Sequence, residues 1–384
     1  MFVGIRNTPR DYAWGSRTAI AELLGTTASG RPEAELWLGS HPGSPAVLVS
    51  PREAGGTGTL DGITTLPFLL KVLAADSPLS LQAHPSPAQA IDGFARENSA
   101  GIPLDSPSRN YKDDRHKPEL IFAVSDEFSA LCGFRSVAAT RELLLAEPEF
   151  AADPTVANLL DRLVDDASLP STFEWLIARE AGVDELVARV VELASKTAST
   201  RREFETVVAL SLAFPGDPGI VISLLLNHVV LRSGEVLYLP AGNIHAYLRG
   251  VGIELMAASD NVLRGGLTVK HVDVDELLTV LDFRPYPAAP LAPITLGPHA
   301  ELFAPPVSDF ALAVFTPTAA DDSVAFGPAG PSIALCTDGE LTVEGSGGKF
   351  SLAQGDAVYI SADEGELSIS GAGTMFLATT GRSA

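Results

Sequence analysis

The sequence predicts a mainly β protein: two related β-barrel units, with one block of helices inserted into the first. Three observations carry this. Short apolar runs bounded by Gly, Pro, Asp and Asn fill residues 1–135 and return from Ile220 onward, which is the texture of strands and turns. Residues 137–213 hold few turn formers after Pro170 and place apolar residues at helical spacing. Finally, GEVLYLPAGNIHA at 234–246 is echoed by GDAVYISADEGEL at 355–367. Each begins with Gly and an acidic residue and continues into an apolar strand containing Tyr. Regular alternation of strand and helix is absent, which argues against a doubly wound sheet or an α/β barrel.

In chain order, LPFLLKVL and LSLQAHP read as strands in the first part. The polar stretch from Asp92 to Asp114 reads as a long loop, and an apolar strand LIFAV follows it. Helical spacing is carried by Val156, Leu159, Leu160 and Leu163, then by Val183, Leu186, Val187, Val190 and Leu193, then by EFETVVALSLAF. FPGDPG at 214–219 ends the block. VISLLLNHVVL, EVLYLPAG, VGIELMAAS, LTVKHVDV and ELLTVLDF read as further strand pieces. A Pro-rich connector at 284–293 leads to the short strands of the last ninety or so residues.

Composition narrows the function. The 384 residues carry 26 Lys plus Arg against 48 Asp plus Glu, a net charge of −22. Such a surface repels nucleic-acid backbone and anionic membranes, so neither is expected as a partner. An anionic small molecule remains possible wherever a few cations cluster. The two cysteines, Cys132 and Cys336, lie in apolar runs and read as buried thiols, excluding a disulfide scaffold. With no apolar leader and no membrane-length apolar run, a soluble cytoplasmic protein is expected.

Only seven histidines occur, and two stand in unusual settings. His84 follows Gln82 at strand spacing, so an amide and an imidazole project from one face and can bind one metal. His245 follows Pro240-Ala241-Gly242, a tight turn with the spacing of the second cupin motif, which aims the next histidine into a barrel. Tyr247 shares its face. Glu119 opens an apolar strand, where a lone carboxylate needs a metal or a base, and Lys117 shares its face across Pro118. Glu254 interrupts another apolar strand. Arg264 and Lys270 lie in a run of glycines and apolar residues and could form a local anion site. Read singly, each of these residues also fits a structural role: a satisfied core histidine, a strand-edge ion pair, or a solvated face.

Taken together the motifs are specific. Asp11-Tyr12-Ala13-Trp14-Gly15, Ala34-Glu35-Leu36-Trp37-Leu38-Gly39, Lys71-Val72-Leu73 and Leu79-Ser80-Leu81-Gln82-Ala83-His84-Pro85 lead the series. Asp114-Arg115-His116-Lys117-Pro118-Glu119, Pro240-Ala241-Gly242-Asn243-Ile244-His245-Ala246-Tyr247, Glu254 and Ser259-Asp260-Asn261-Val262-Leu263-Arg264-Gly265-Gly266-Leu267-Thr268-Val269-Lys270 complete it. Over nearly its whole length the chain resembles the type I phosphomannose isomerases, zinc enzymes that interconvert mannose 6-phosphate and fructose 6-phosphate. The resemblance implies one zinc ion held by Gln82, His84, Glu119 and His245, and a sugar phosphate as the small-molecule partner. It implies two cupin-type jelly-roll β-barrels with an inserted α-helical domain. The catalytic barrel would be built from 1–135 and 215–287, the insert from 136–214, and a C-terminal barrel from 288–384. In that last barrel Ser361, Asp363 and Glu366 stand where the motif has Pro, Gly and His, so no metal is expected there. A monomer is expected.

For phosphate binding the candidates are Arg264, Lys270 and Ser80. For proton transfer through a cis-enediol(ate) the leading candidate is Glu254, with Lys117, Tyr247 or a water on the metal as alternatives and Arg264 as an electrostatic clamp. An ion pair with Arg264 is the competing role for Glu254. Another sugar-phosphate isomerase or epimerase, or a carbohydrate-sensing cupin without catalysis, are the competing functions.

Overall fold

The computed structural model describes residues 1–50, 58–197, 201–320 and 323–381. Its strands fall into two antiparallel sheets, one of nine strands and one of ten. The nine-stranded sheet is organised around the long strand His245–Ala257. The first part of that strand pairs with Leu81–Ala83 on one side and Phe128–Phe134 on the other. Its second part pairs with Phe68–Ala75 and with Glu119–Ala123. A single strand therefore touches every other strand that brings a candidate metal ligand.

The register along it is not continuous. Pairing with Phe128–Phe134 shifts between Tyr247 and Arg249, and Gly250 adopts φ of 130° against Phe128. Strand side chains alternate between faces, so one extra residue reverses the alternation beyond it. Glu254, an odd number of positions after Tyr247, is thereby brought into the same electrostatic environment as Tyr247 and Glu119. Without the irregularity it would face the other way.

Between Phe128–Phe134 and Leu226–Leu231 the chain forms the helical block, including Val137–Leu145, Pro154–Arg162, Leu169–Ile177, Val183–Thr197 and Arg202–Ala213. The helices start where the sequence provides caps: Ser136 accepts from Ala139 N–H, and Asp153 from Thr155 and Val156. The predicted apolar stripes are buried. Leu159, Leu186, Val190 and Leu193 join Leu81, Ala83, Ile244 and Leu263 of the sheet in one core, so the helices brace the sheet edge that carries Gln82 and Arg264.

Four local expectations are corrected. The polar stretch after Asp92 is helical as far as Ser99, within a helix Pro87–Ser99. Ser86 and Gln89 cap it reciprocally, and that local signal outweighs the polar composition. VISLLL is helical through Leu225 before the strand Leu226–Leu231 begins. ELLTVLDF belongs to the helix Val274–Val280, started by Asp273 accepting from Glu276 N–H. LTVKHVDV forms no strand; backbone N–H groups of Leu267 and Thr268 donate to Asp217 instead.

The ten-stranded sheet is built mostly from residues 294–379, but strands Phe2–Arg6 and Val47–Leu48 complete it. Phe2–Arg6 pairs with Ala357–Ile360, Phe2 opposite Ile360 and Ile5 opposite Ala357. The start of the chain, grouped with the first unit in the sequence, thus pairs within the sheet of the last strands. One core joins the two sheets, with Val72, Leu120, Phe122 and Ile253 packed with Phe303, Phe310 and Phe376. Both cysteines are free and buried. Among the described residues no helix is long and apolar enough to cross a membrane.

Candidate metal centre

Three of the four expected metal ligands converge. His84 follows strand Leu81–Ala83, Glu119 opens Glu119–Ala123 and His245 opens His245–Ala257. One ligand atom from each lies within 4.8 Å of the others. The turn before His245 holds them in place. Gly242 has φ of 78°, its N–H donates to the His84 carbonyl at 2.8 Å, and a Cβ there would sit 3.0 Å from the Val280 carbonyl. Glycine is required by both the angle and the approach.

Each imidazole is oriented from behind. His84 Nδ1 lies 2.8 Å from the Asn261 carbonyl, and His245 Nδ1 lies 3.0 Å from the Asn243 carbonyl. A backbone carbonyl can only accept, so Nδ1 carries the proton and Nε2 presents its lone pair. Among the described residues, both Nε2 atoms and Glu119 Oε2 are buried without a hydrogen bond, although Glu119 oxygens stand 3.1 Å and 3.3 Å from the two rings. Buried lone pairs aimed at one another are costly unless a cation sits among them. The set is two nitrogens and a carboxylate, which suits zinc. Gln82, half-buried, is directly opposite His245 in the sheet.

Burial and charge keep His84 and Glu119 in their ligand forms. Burial and then the Lys117 ammonium push the His84 pKa down to about 4. Burial would raise the Glu119 pKa, but Lys117 at 2.9 Å, with His84, holds it well below the usual carboxylate range. The face-sharing of Lys117 and Glu119 expected from the sequence is realised as this contact.

A second buried group lies along the same strand. Lys71 Nζ donates to Glu254 Oε2 at 2.8 Å and stands 3.8 Å from Glu35 Oε1. Burial works against the Lys71 charge, but Glu254, Glu35 and Glu119 outweigh it and raise its pKa. Burial pushes the Glu254 carboxyl up, with Lys71 opposing. The partner of Glu254 is therefore Lys71 and not Arg264. The Tyr247 hydroxyl is buried near Glu254, and burial followed by Glu254 and Glu119 raises its pKa well above the usual phenol value.

Arg264 instead stands opposite Gln82 in the sheet and donates from Nη1 to Ser80 Oγ at 2.7 Å. Burial lowers its pKa. Lys270 is exposed, and the nearby Arg264 charge, then burial, lowers its pKa. Two like charges near a hydroxyl are an arrangement that can attract an anion.

Residues 2–137 match the model of the family described as phosphomannose isomerase type I, catalytic domain. The chain is 37% identical to the mannose-6-phosphate isomerase of Salmonella typhimurium, covering 96% of this chain and 97% of that one. The Escherichia coli protein of the same name matches with the same identity and coverage. The chain belongs to the type I phosphomannose isomerase family. Its fold agrees with this family's solved structures. The zinc-bound mannose 6-phosphate isomerase superposes with a TM-score of 0.85 at 34% identity, over 99% of this chain and 100% of that one. A Salmonella typhimurium structure bound to fructose 6-phosphate and zinc gives 0.85 at 35%, with the same coverage.

Within this phosphomannose isomerase fold, sequence reasoning overlooked Lys71 and Glu35 as members of the site. Lys71 interrupts the apolar strand FLLKVLAA in the same way that Glu254 interrupts its own, so looking for the complementary charge would have found it. Asn261 was also overlooked. Besides its carbonyl contact to His84, its side chain accepts from Lys112 N–H and donates to the Asp113 and Arg115 carbonyls at 2.8 Å. It thereby ties the segment leading to Lys117 and Glu119 to the segment leading to Arg264.

Proposed function

We propose that the chain interconverts mannose 6-phosphate and fructose 6-phosphate, with one zinc ion held by Gln82, His84, Glu119 and His245. The observation that carries this is the convergence of three unpaired, buried ligand atoms in a chain similar over its full length to enzymes of that name. Zinc in that cage would polarise a substrate oxygen and so favour the charge that develops in an enediol(ate).

The remaining work belongs to side chains. Arg264, Lys270 and the Ser80 hydroxyl bind the phosphate, and Arg264, permanently charged, also stabilises negative charge on the reacting oxygens. Glu254 takes the proton from C2 of the aldose and returns it to C1. A carboxyl raised by burial, beside an ammonium that holds its position, is suited to both halves of that exchange. A second proton must pass from O2 to O1. Tyr247, protonated at neutral pH and beside Glu254, and Lys117 are the groups proposed for it.

The architecture that goes with this reading is two cupin-type jelly-roll barrels with a helical insert. The units are 1–135 with 215–287, 136–214, and 288–384, the last without metal and completed by the strands Phe2–Arg6 and Val47–Leu48. The protein acts as a cytoplasmic monomer on a small sugar phosphate, with neither nucleic acid nor membrane as partner. A coupled assay with both sugar phosphates, run beside metal analysis of the purified protein, tests the proposal. Isomerisation with stoichiometric zinc is expected. Full activity after quantitative metal removal, or none with zinc bound, overturns it.

A further inference from the structure

A cavity of about 580 Å³ lies at the seam between the two sheets, and none of the metal-centre residues lines it. Its volume falls within the usual range for small-molecule sites. One wall is aromatic: Phe122 and Phe376 pack edge to face with centroids 5.0 Å apart. The rest of the lining mixes apolar residues, among them Leu23 and Val124, with the polar residues Thr295, Thr316, Glu301 and Asp338. No lysine or arginine is among the described residues that line it, which sets it apart from the Arg264–Lys270 cluster and excludes a phosphate dianion as its ligand.

This is the chemistry that recognises an uncharged sugar ring. Carboxylate oxygens accept from neighbouring hydroxyls, threonine hydroxyls donate and accept, and the C–H face of a pyranose packs on phenyl groups. The rim is also fixed in place. His299, in the hairpin turn between Ile294–Gly297 and Ala300–Phe303, is held at φ of 61°, a left-handed conformation uncommon outside glycine. Its carbonyl accepts from Thr316 N–H at 2.8 Å. Strained backbone that the surrounding structure enforces is concentrated at binding sites.

We propose that this cavity is a second binding site, separate from the metal centre, for an unphosphorylated hexose. Nothing in its lining depends on the metal or on the isomerase reading. The test uses the full zinc-loaded chain and methyl α-D-mannopyranoside, whose blocked anomeric carbon prevents isomerisation. Saturation-transfer NMR and titration are run with and without saturating fructose 6-phosphate. Binding that persists in the presence of the sugar phosphate is expected. Glu301→Gln and Thr316→Phe, both at exposed positions, should each weaken it about tenfold or more, a loss of about 1.4 kcal/mol, with isomerase activity unchanged. Absence of binding, displacement by fructose 6-phosphate, or equal binding to both variants would each overturn the proposal. Loss of isomerase activity alone bears on the metal centre and not on this cavity.

Discussion

Lys71 and Glu254 stand directly opposite each other on paired strands, 183 positions apart in the chain, with Nζ and Oε2 at 2.8 Å. Both side chains are buried. Glu254 lies on the strand that begins with His245, so one candidate metal ligand and one half of this ion pair share a strand. Glu254→Gln keeps the size and a hydrogen bond to Lys71 but removes the exchangeable carboxylate. Its kcat should fall about 10²–10⁴-fold with little change in KM and intact zinc. Near-normal turnover would remove Glu254 from the proton-transfer role.

Removing the cation instead strands two carboxylates. Lys71→Ala leaves Glu254 and Glu35 buried without their shared partner. Breaking one side of such a pair costs on the order of 3–5 kcal/mol. Denaturant unfolding should show this loss, and adding Glu254→Gln to Lys71→Ala should recover part of it.

Phosphate binding separates the two basic residues. Lys270→Ala should raise KM for mannose 6-phosphate by roughly tenfold, in keeping with one exposed charge-assisted contact, and leave kcat nearly intact. Arg264→Ala should lower kcat as well, because its guanidinium is partly buried, bonded to Ser80 and aligned with Gln82. Steady-state kinetics with phosphorylated and free mannose distinguish these outcomes: the free sugar should respond little to Lys270→Ala.

Neither His84 nor Glu119 should be the ligand that releases metal in mild acid. The His84 pKa is pushed down to about 4 and Glu119 is held below the usual carboxylate range. Protons therefore do not compete for these ligands between neutral pH and about pH 5. Zinc content after dialysis across this range checks it: protonation of His84 or Glu119 should cost metal only below that window. A chelator should lower Tm at pH 7, and zinc should restore it.

Outside the site, His228 sets a different pH dependence. Burial first, and Arg202 and Arg135 with it, lowers its pKa below the ordinary value of 6.5, with Glu203 and Glu205 opposing; its Nε2 lies 3.1 Å from Ser129 Oγ. As pH falls through the ordinary histidine range the unfolded chain takes up this proton first. The contribution to stability is therefore full above that range and is lost as pH falls toward the folded value. Melting temperatures measured across this window should fall less steeply for His228→Gln.

What the sequence made legible was local. Gln82 and His84 two apart, a Pro-x-Gly turn three residues before His245, and Lys117 two before Glu119 are spacings that the backbone converts directly into shared faces. Apolar stripes such as Val183–Leu193 gave helices for the same reason. What escaped was set by pairing over long separations. The Lys71–Glu254 contact depends on strand register, and the facing of Glu254 depends on an irregularity near Tyr247 that leaves only Gly250 as a trace. The short apolar segments VISLLL and ELLTVLDF fit a strand or a buried helix equally well, and only their caps and packing decide.

The strand His245–Ala257 also dictates an order of events during synthesis. A chain emerging from the ribosome has released Gln82, His84, Lys71 and Glu119 before any of the helical block appears, and the whole block precedes His245. Until that strand arrives, Leu81–Ala83, Phe68–Ala75 and Glu119–Ala123 all lack a common neighbour. The early residues therefore remain a half-built clasp, and one late segment supplies the third ligand, the partner of Lys71 and the strand that joins both halves of the sheet.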